Sequence, residues 1–217
     1  MNADVAVVDY GLGNLFSVQK ALEHCGASVA ITDDPGVIAQ APRIVLPGVG
    51  AFKDGMSGLR ERNLVEPLLT FARSGRPLLG ICLGMQMLLS RSEEFGDHAG
   101  LGIIAGRVIA IPRTTIDGRT HRIPHIGWSE LYACEGGQTW QNTMLESIVP
   151  GTAVYLVHSY TAWPDDPSQR LADCRYGGHL ISAAIRAGNV YGSQFHPEKS
   201  GPAGLEVLRK FLSLNSN

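Results

Sequence analysis

The sequence has no apolar run near the roughly 20 residues that a bilayer-spanning helix needs, so no membrane partner is expected. It lacks a basic excess: 18 Lys and Arg stand against 20 Asp and Glu, a net charge of −2. A dedicated nucleic-acid binder would show a basic stripe, so no nucleic-acid partner is expected either. Charged residues are few, at 18%, while hydrophobic residues reach 44%, which is too apolar for a disordered chain. None of the four cysteines, Cys25, Cys82, Cys134 and Cys174, forms a Cys-x-x-Cys pair with another. A chain of 217 residues does not need disulfide staples, and reduced thiols are expected. The start places Asp4 where a secretory signal carries basic charge, so no export signal is read and a cytoplasmic protein is expected. Internal repeats and low-complexity tracts are missing too, and no polar linker divides the chain. One domain over 1–217 is therefore expected.

Two cofactor classes are disfavoured. Gly11-Leu12-Gly13 follows an apolar run, but Phe16 stands where a dinucleotide fingerprint needs its third glycine, and no P-loop lysine follows a glycine run. His121 and His125 have the spacing that aligns two ligands on a helix. Pro124 between them argues against that helix, so neither a metal nor a cofactor is expected.

What is present is an alternation of apolar runs and helical patterns. Asp4–Asp9, Ser28–Thr32, Arg43–Leu46 and Pro77–Ile81 read as strands apolar on both faces. Asn14–Cys25, with Asn14 as N-cap and Gly26 beyond the end, and Leu64–Arg73 read as helices. Leu83–Ser90 is read as a helix starting directly after the fourth strand. Such strands separated by helices predict a mostly parallel sheet covered on both faces. After residue 100 the rhythm changes. Ile103–Ile111, Ala153–Ser159, Leu171–Tyr176, Leu180–Arg186 and Tyr191–Phe195 are strand-like, with few helices between, before a closing helix over Gly201–Leu214. The fold class is α/β with an antiparallel C-terminal extension.

Three segments carry chemistry. In Gly80-Ile81-Cys82-Leu83-Gly84 a strand runs straight into a helix with cysteine at the junction and glycine two residues to either side. This is the pattern of a nucleophile elbow, with sulfur at a helix N-terminus where the dipole favours thiolate. The Leu83 N–H then points to where an oxyanion would form. A core cysteine between packing glycines is the other reading of Cys82 taken alone, and the elbow is the favoured one. His196-Pro197-Glu198 follows a predicted strand and supplies a base with an acid to orient it. Open parallel sheets carry their sites at the carboxyl ends of strands, so Cys82 and His196 can meet. Pro47-Gly48-Val49-Gly50 ends the third strand and can aim N–H groups of Val49 or Gly50 at the same oxyanion, or be an ordinary loop.

The Gly-x-Cys-x-Gly elbow together with Phe195-His196-Pro197-Glu198 resembles the class I glutamine amidotransferases. Asp9–Leu15 (DYGLGNL), Pro47–Gly50, Pro124–Trp128 (PHIGW), Val157–Tyr160 (VHSY) and His196–Ser200 (HPEKS) are similar to the glutaminase subunits of imidazole glycerol phosphate synthase within that family. The resemblance runs from about residue 4 to 214 and implies a flavodoxin-like fold. It implies hydrolysis of L-glutamine to glutamate and ammonia through a thioester on Cys82, with His196 and Glu198 completing the triad. Gly50, Leu83, Gln86, Glu94, Ser159 and Tyr160 are implied glutamine contacts, Glu94 pairing with the α-ammonium. The Gly48-Val49 peptide is implied to rotate when the oxyanion hole forms. Asn14, Trp128 and Lys199 are implied to face a (β/α)8-barrel cyclase in a heterodimer, which takes the ammonia into imidazole glycerol phosphate for histidine biosynthesis.

Ser129 and Thr161 depart from the residues common at those positions in the resembled subunits. They suggest an alternative, a paralogous glutaminase feeding another barrel synthase, as in amidination of a surface-polysaccharide sugar. A non-catalytic thiol-binding or regulatory module is the alternative of another class.

Overall fold

The computed structural model describes residues 3–215. Its centre is an eight-stranded sheet. Five strands run parallel, in the order β2 (Val29–Thr32), β1 (Val5–Val8), β3 (Ile44–Leu46), β4 (Leu78–Ile81) and β14 (Val190–Ser193). The antiparallel strands β13 (His179–Ala187), β12 (Arg170–Tyr176) and β9 (Tyr132–Ala133) extend it on the β14 side. The expected class is found: a largely parallel core with an antiparallel C-terminal extension.

Strand periodicity divides the core into two layers. Val5, Val7, Val45, Leu79 and Ile81 point to one face, where Val18 and Leu22 of α1 (Leu15–His24) meet Leu208 and Phe211 of α6 (Gly201–Ser213). Ala6, Val8, Ile44, Leu46 and Leu78 point to the other. They pack there against α2 (Pro35–Gln40), α3 (Phe52–Glu61), α4 (Val65–Arg73) and α5 (Leu83–Met87). Both faces of β1, β3 and β4 are therefore sealed from water, as their uninterrupted apolar runs require, while the edge strand β2 is only half-buried. Asn14 caps α1 as expected, its side-chain oxygen accepting from Ser17 N–H.

The remaining strands make two smaller sheets. β11 (Tyr160–Pro164), β7 (Ile104–Ala110), β5 (Leu89–Ser92) and β6 (His98–Ala99) form one, and β10 (Ala153–His158) with β8 (His125–Glu130) forms the other. The expected helix over Leu83–Ser90 is corrected here. It ends at Met87, and Leu89–Ser92 leaves it to pair in parallel with β7. The strand pairing and the burial of Leu89 in the second layer override the local helical pattern.

Candidate active site

Sheet register decides what meets at the carboxyl edge. Leu46 of β3 lies beside Gly80, and Ser193 of β14 lies beside Ile81. The residues that follow these strands are thus neighbours: the Pro47–Gly50 loop, Cys82, and Gln194 through His196. The Cys82 N–H donates to the Ser193 carbonyl across 2.7 Å, which ties the elbow to the strand that leads to His196.

Cys82 has φ 54° and ψ −108°, a left-handed conformation that costs an L-residue strain. The neighbouring glycines explain how the turn closes. A Cβ on Gly80 would come within 2.7 Å of the Gly84 and Met85 backbone, and one on Gly84 would strike the Leu46 carbonyl. Both glycines are there for close backbone approach, as the elbow pattern requires. The thiol is buried beside the Val157 carbonyl, 4.0 Å away, and Gln194 Nε2–H donates to Sγ across 3.7 Å.

His196 Nδ1 pairs with Glu198 Oε1 at 2.8 Å, and both side chains are almost wholly buried. The other ring nitrogen, Nε2, is buried and makes no formed hydrogen bond. Burial is the largest influence on His196 and favours the neutral ring. Its interactions with the Cys82 thiol and the Glu198 carboxylate together outweigh burial and raise the pKa to about 9.

The pocket beside Cys82 has a volume of about 190 Å³. Gly50, Leu83, Gln86, Glu94, Ser159 and Tyr160, the six residues expected from the resemblance, all line it. Three further residues line it, Pro124, Val157 and His158, which belong to the PHIGW and VHSY segments but are given no site role by the sequence. The signal available for His158 was its two-residue spacing from Val154 and Leu156, which puts it on the buried face of β10. Its Nδ1 is 2.8 Å from the Tyr160 carbonyl and its Nε2 is 3.1 Å from His125 Nδ1. His125 Nε2 in turn lies 3.0 Å from Ser129 Oγ. The Tyr160 carbonyl can only accept, so His158 carries its proton on Nδ1 and receives His125 Nδ1–H on Nε2. Burial lowers the pKa of His158 to about 3 and that of His125 to about 4, so both rings are neutral.

Glu94 does not sit free in the pocket. Its carboxylate accepts from Phe52 N–H across 2.6 Å at the start of α3. Leu83 N–H is also engaged, since it donates to the Gly48 carbonyl at 3.4 Å. Gly50 has φ 103°, and Val49 is exposed. Away from the pocket, Lys199 and Trp128 are exposed, and Ile126 beside Trp128 on β8 is 59% exposed. The expected partner-facing residues thus lie on solvent-accessible surface, with Asn14 half-buried at the start of α1.

A family model described as glutamine amidotransferase class-I matches residues 6–214. The chain belongs to the class-I glutamine amidotransferase family. Imidazole glycerol phosphate synthase subunit HisH 1 of Legionella pneumophila (strain Lens) is 53% identical to this amidotransferase over 212 residues, covering 98% of this chain and all of that one. The HisH subunit of the same synthase from Syntrophotalea carbinolica is 47% identical over 208 residues, covering 95% and 98% of the two chains. Among solved structures, PurLQS of Thermotoga maritima superposes with a TM-score of 0.72 at 19% identity over 98% of each chain. A crystal structure of a glutamine amidotransferase gives a TM-score of 0.70 at 18% identity, covering 95% of this chain and 96% of that one. These structural likenesses concern the fold.

Proposed function

We propose that this amidotransferase is the glutaminase subunit of imidazole glycerol phosphate synthase, acting as one domain over 1–217. The observation that carries the chemistry is the buried His196–Glu198 pair beside the strained Cys82 elbow. The 53% identity to a HisH subunit over nearly the whole chain supports the pathway.

The reaction follows from the groups at hand. Cys82 thiolate attacks the carboxamide carbon of L-glutamine. N–H groups of Leu83 and of the Val49–Gly50 segment hold the oxyanion. Protonated His196 gives its proton to the departing nitrogen, ammonia leaves, and a γ-glutamyl thioester remains. The neutral imidazole then takes a proton from water, and the hydroxide formed displaces sulfur and releases glutamate. Glu198 holds the ring and balances its charge. Gln86, Glu94, Ser159 and Tyr160 bind the glutamine backbone end and side chain. In the peptide as it stands, the Gly48 carbonyl occupies Leu83 N–H, so the Gly48-Val49 peptide rotates before the oxyanion is held.

Ammonia passes to a (β/α)8-barrel cyclase that docks on the side of Asn14, Trp128 and Lys199. The exposed Ile126 and Trp128 give that face apolar area to bury. As a subunit of a biosynthetic enzyme it would work in the cytoplasm; no helix among the described residues is long and apolar enough to cross a membrane.

The test is glutamate release by the complex with a barrel cyclase. Cys82→Ala is expected to abolish it while the melting profile stays that of a folded protein. Release by the variant at the wild-type rate would end the nucleophile assignment. Failure of the complex to convert the histidine-pathway ribonucleotide, with glutaminase intact, would leave the chemistry and remove the pathway.

A further inference from the structure

Gln194 is fully buried between β14 and His196, and the reaction just described gives it no part. Its main-chain N–H donates to the Ala183 carbonyl across 2.9 Å, which fixes its place in the sheet. Its side chain spans two others. The Oε1 atom accepts from Gln86 Nε2 at 3.0 Å, and Nε2–H donates to Cys82 Sγ.

The direction of this relay is dictated by its far end. Gln86 Nε2 also donates to the Tyr160 carbonyl at 3.0 Å, and that oxygen accepts His158 Nδ1–H as well. A main-chain carbonyl has no proton to give, so Gln86 must turn its NH₂ group towards it. The second N–H of the same group then faces Gln194, which must present oxygen to Gln86. Only then is the Gln194 NH₂ group left for sulfur. Reversing Gln194 would set two N–H groups against each other at one end and bring a carbonyl oxygen to a thiolate at the other.

We propose that Gln194 is a positioning residue for the nucleophile, donating an oriented amide N–H to Cys82 Sγ. A hydrogen bond to an ionised acceptor is stronger than one to its neutral form, so the contact strengthens as the thiol loses its proton. It also directs the sulfur: the donor holds one side of Sγ and leaves another for the carboxamide carbon. When the thioester collapses and the C–S bond breaks, the electron pair returns to a sulfur that already has a donor in place. Gln194 does not line the pocket beside Cys82. The inference rests on the reading of Cys82 as nucleophile.

The experiment uses the full chain with its barrel partner and replaces the donor by an apolar side chain of similar length, Gln194→Met. One hydrogen bond to a reacting sulfur corresponds to about a tenfold effect on rate. The expected result is therefore about a tenfold lower kcat with alkylation of Cys82 by iodoacetamide slowed to a similar degree, a joint loss that an effect on glutamine binding through Gln86 alone would not produce. Unchanged kcat and unchanged alkylation would overturn the proposal. So would a loss that tracks only the fraction of folded protein.

A second measurement needs no core substitution. In the wild-type chain the Gln194 side-chain NH₂ resonances should shift when iodoacetamide modifies Cys82, and should stay still when Cys82→Ala is treated in the same way. No difference between the two would also overturn it. Continued glutamate release by Cys82→Ala would instead remove the nucleophile reading itself, which separates that failure from the failure of Gln194.

Discussion

The main-chain N–H of Leu83 donates to the carbonyl oxygen of Gly48 across 3.4 Å. In the proposed reaction that N–H is a donor to the oxyanion, and here it is occupied by the neighbouring loop. On the proposed mechanism the isolated chain binds glutamine but stabilises its transition state poorly. Adding the barrel partner with a substrate analogue is expected to raise glutamate release by about 10²–10³, the cost of one lost oxyanion donor. Rates measured with and without the partner check this. Equal rates would mean that the occupied N–H is not the one that matters.

His196 has a pKa raised to about 9, with burial opposing the stronger combined pull of Cys82 and Glu198. Its protonated form, which gives its proton to the departing amide nitrogen in the proposed reaction, is therefore available at neutral pH. The alkaline limb of kcat is expected near pH 9. Glu198→Gln removes one charge that holds the proton, so the limb should move to lower pH by about one unit or more. The sign for stability follows from the same shift. A histidine raised above its usual 6.5 contributes stability fully present below that value and lost as pH rises through 9. The melting temperature should fall over that interval, and fall less in the variant. A limb that ignores Glu198→Gln would detach the carboxylate from His196.

Much of this was legible in the sequence, for identifiable reasons. Strands buried on both faces have to be apolar throughout, and β1, β3 and β4 announce themselves so. The elbow is legible because Gly80 and Gly84 have no room for a side chain. Other elements depend on partners that a local pattern does not display. α3 carries no side-chain N-cap and has Gly55 and Gly58 inside it, so it reads poorly as a helix. Those glycines are explained only in three dimensions, where a Cβ would press on Met87 and Leu83 at Gly55 and on the Tyr10 carbonyl at Gly58. β8 is hidden for the opposite reason. Its Ile126 and Trp128 point outward, so the usual alternation is inverted. The VHSY segment displays His158 but not its place in the pocket, because its partner His125 stands 33 residues earlier in the chain.

The pairing of His158 with His125 sets a limit at acid pH. Both pKa values are depressed, chiefly by burial, to about 3 and about 4. The unfolded chain takes up these protons near pH 6.5, whereas the folded chain refuses them. Their contribution to stability is present above 6.5 and is lost progressively as pH falls. At pH 5 the loss is about 2 kcal/mol for each ring. The melting temperature should drop clearly between pH 7 and 5, while the ring resonances of His125 and His158 stay at their neutral positions. Titration of either resonance in the folded protein near pH 6 would contradict the neutral pair.

The conformation of Cys82 itself can be tested without catalysis. With φ 54° and ψ −108°, any residue that has a Cβ is strained at this point, and glycine is not. Cys82→Ala keeps the strain and Cys82→Gly releases it. The two variants lose the same sulfur contacts and differ only in the Cβ and in the backbone freedom it restricts. Glycine also costs chain entropy, roughly 0.5–1 kcal/mol, against strain of about 1–3 kcal/mol. Strain is the larger quantity, so Cys82→Gly is expected to unfold at higher denaturant than Cys82→Ala, by about 1 kcal/mol. Measured urea unfolding curves decide the sign. If alanine proves the more stable, the elbow is held without strain, and the tight turn costs the fold nothing at Cys82.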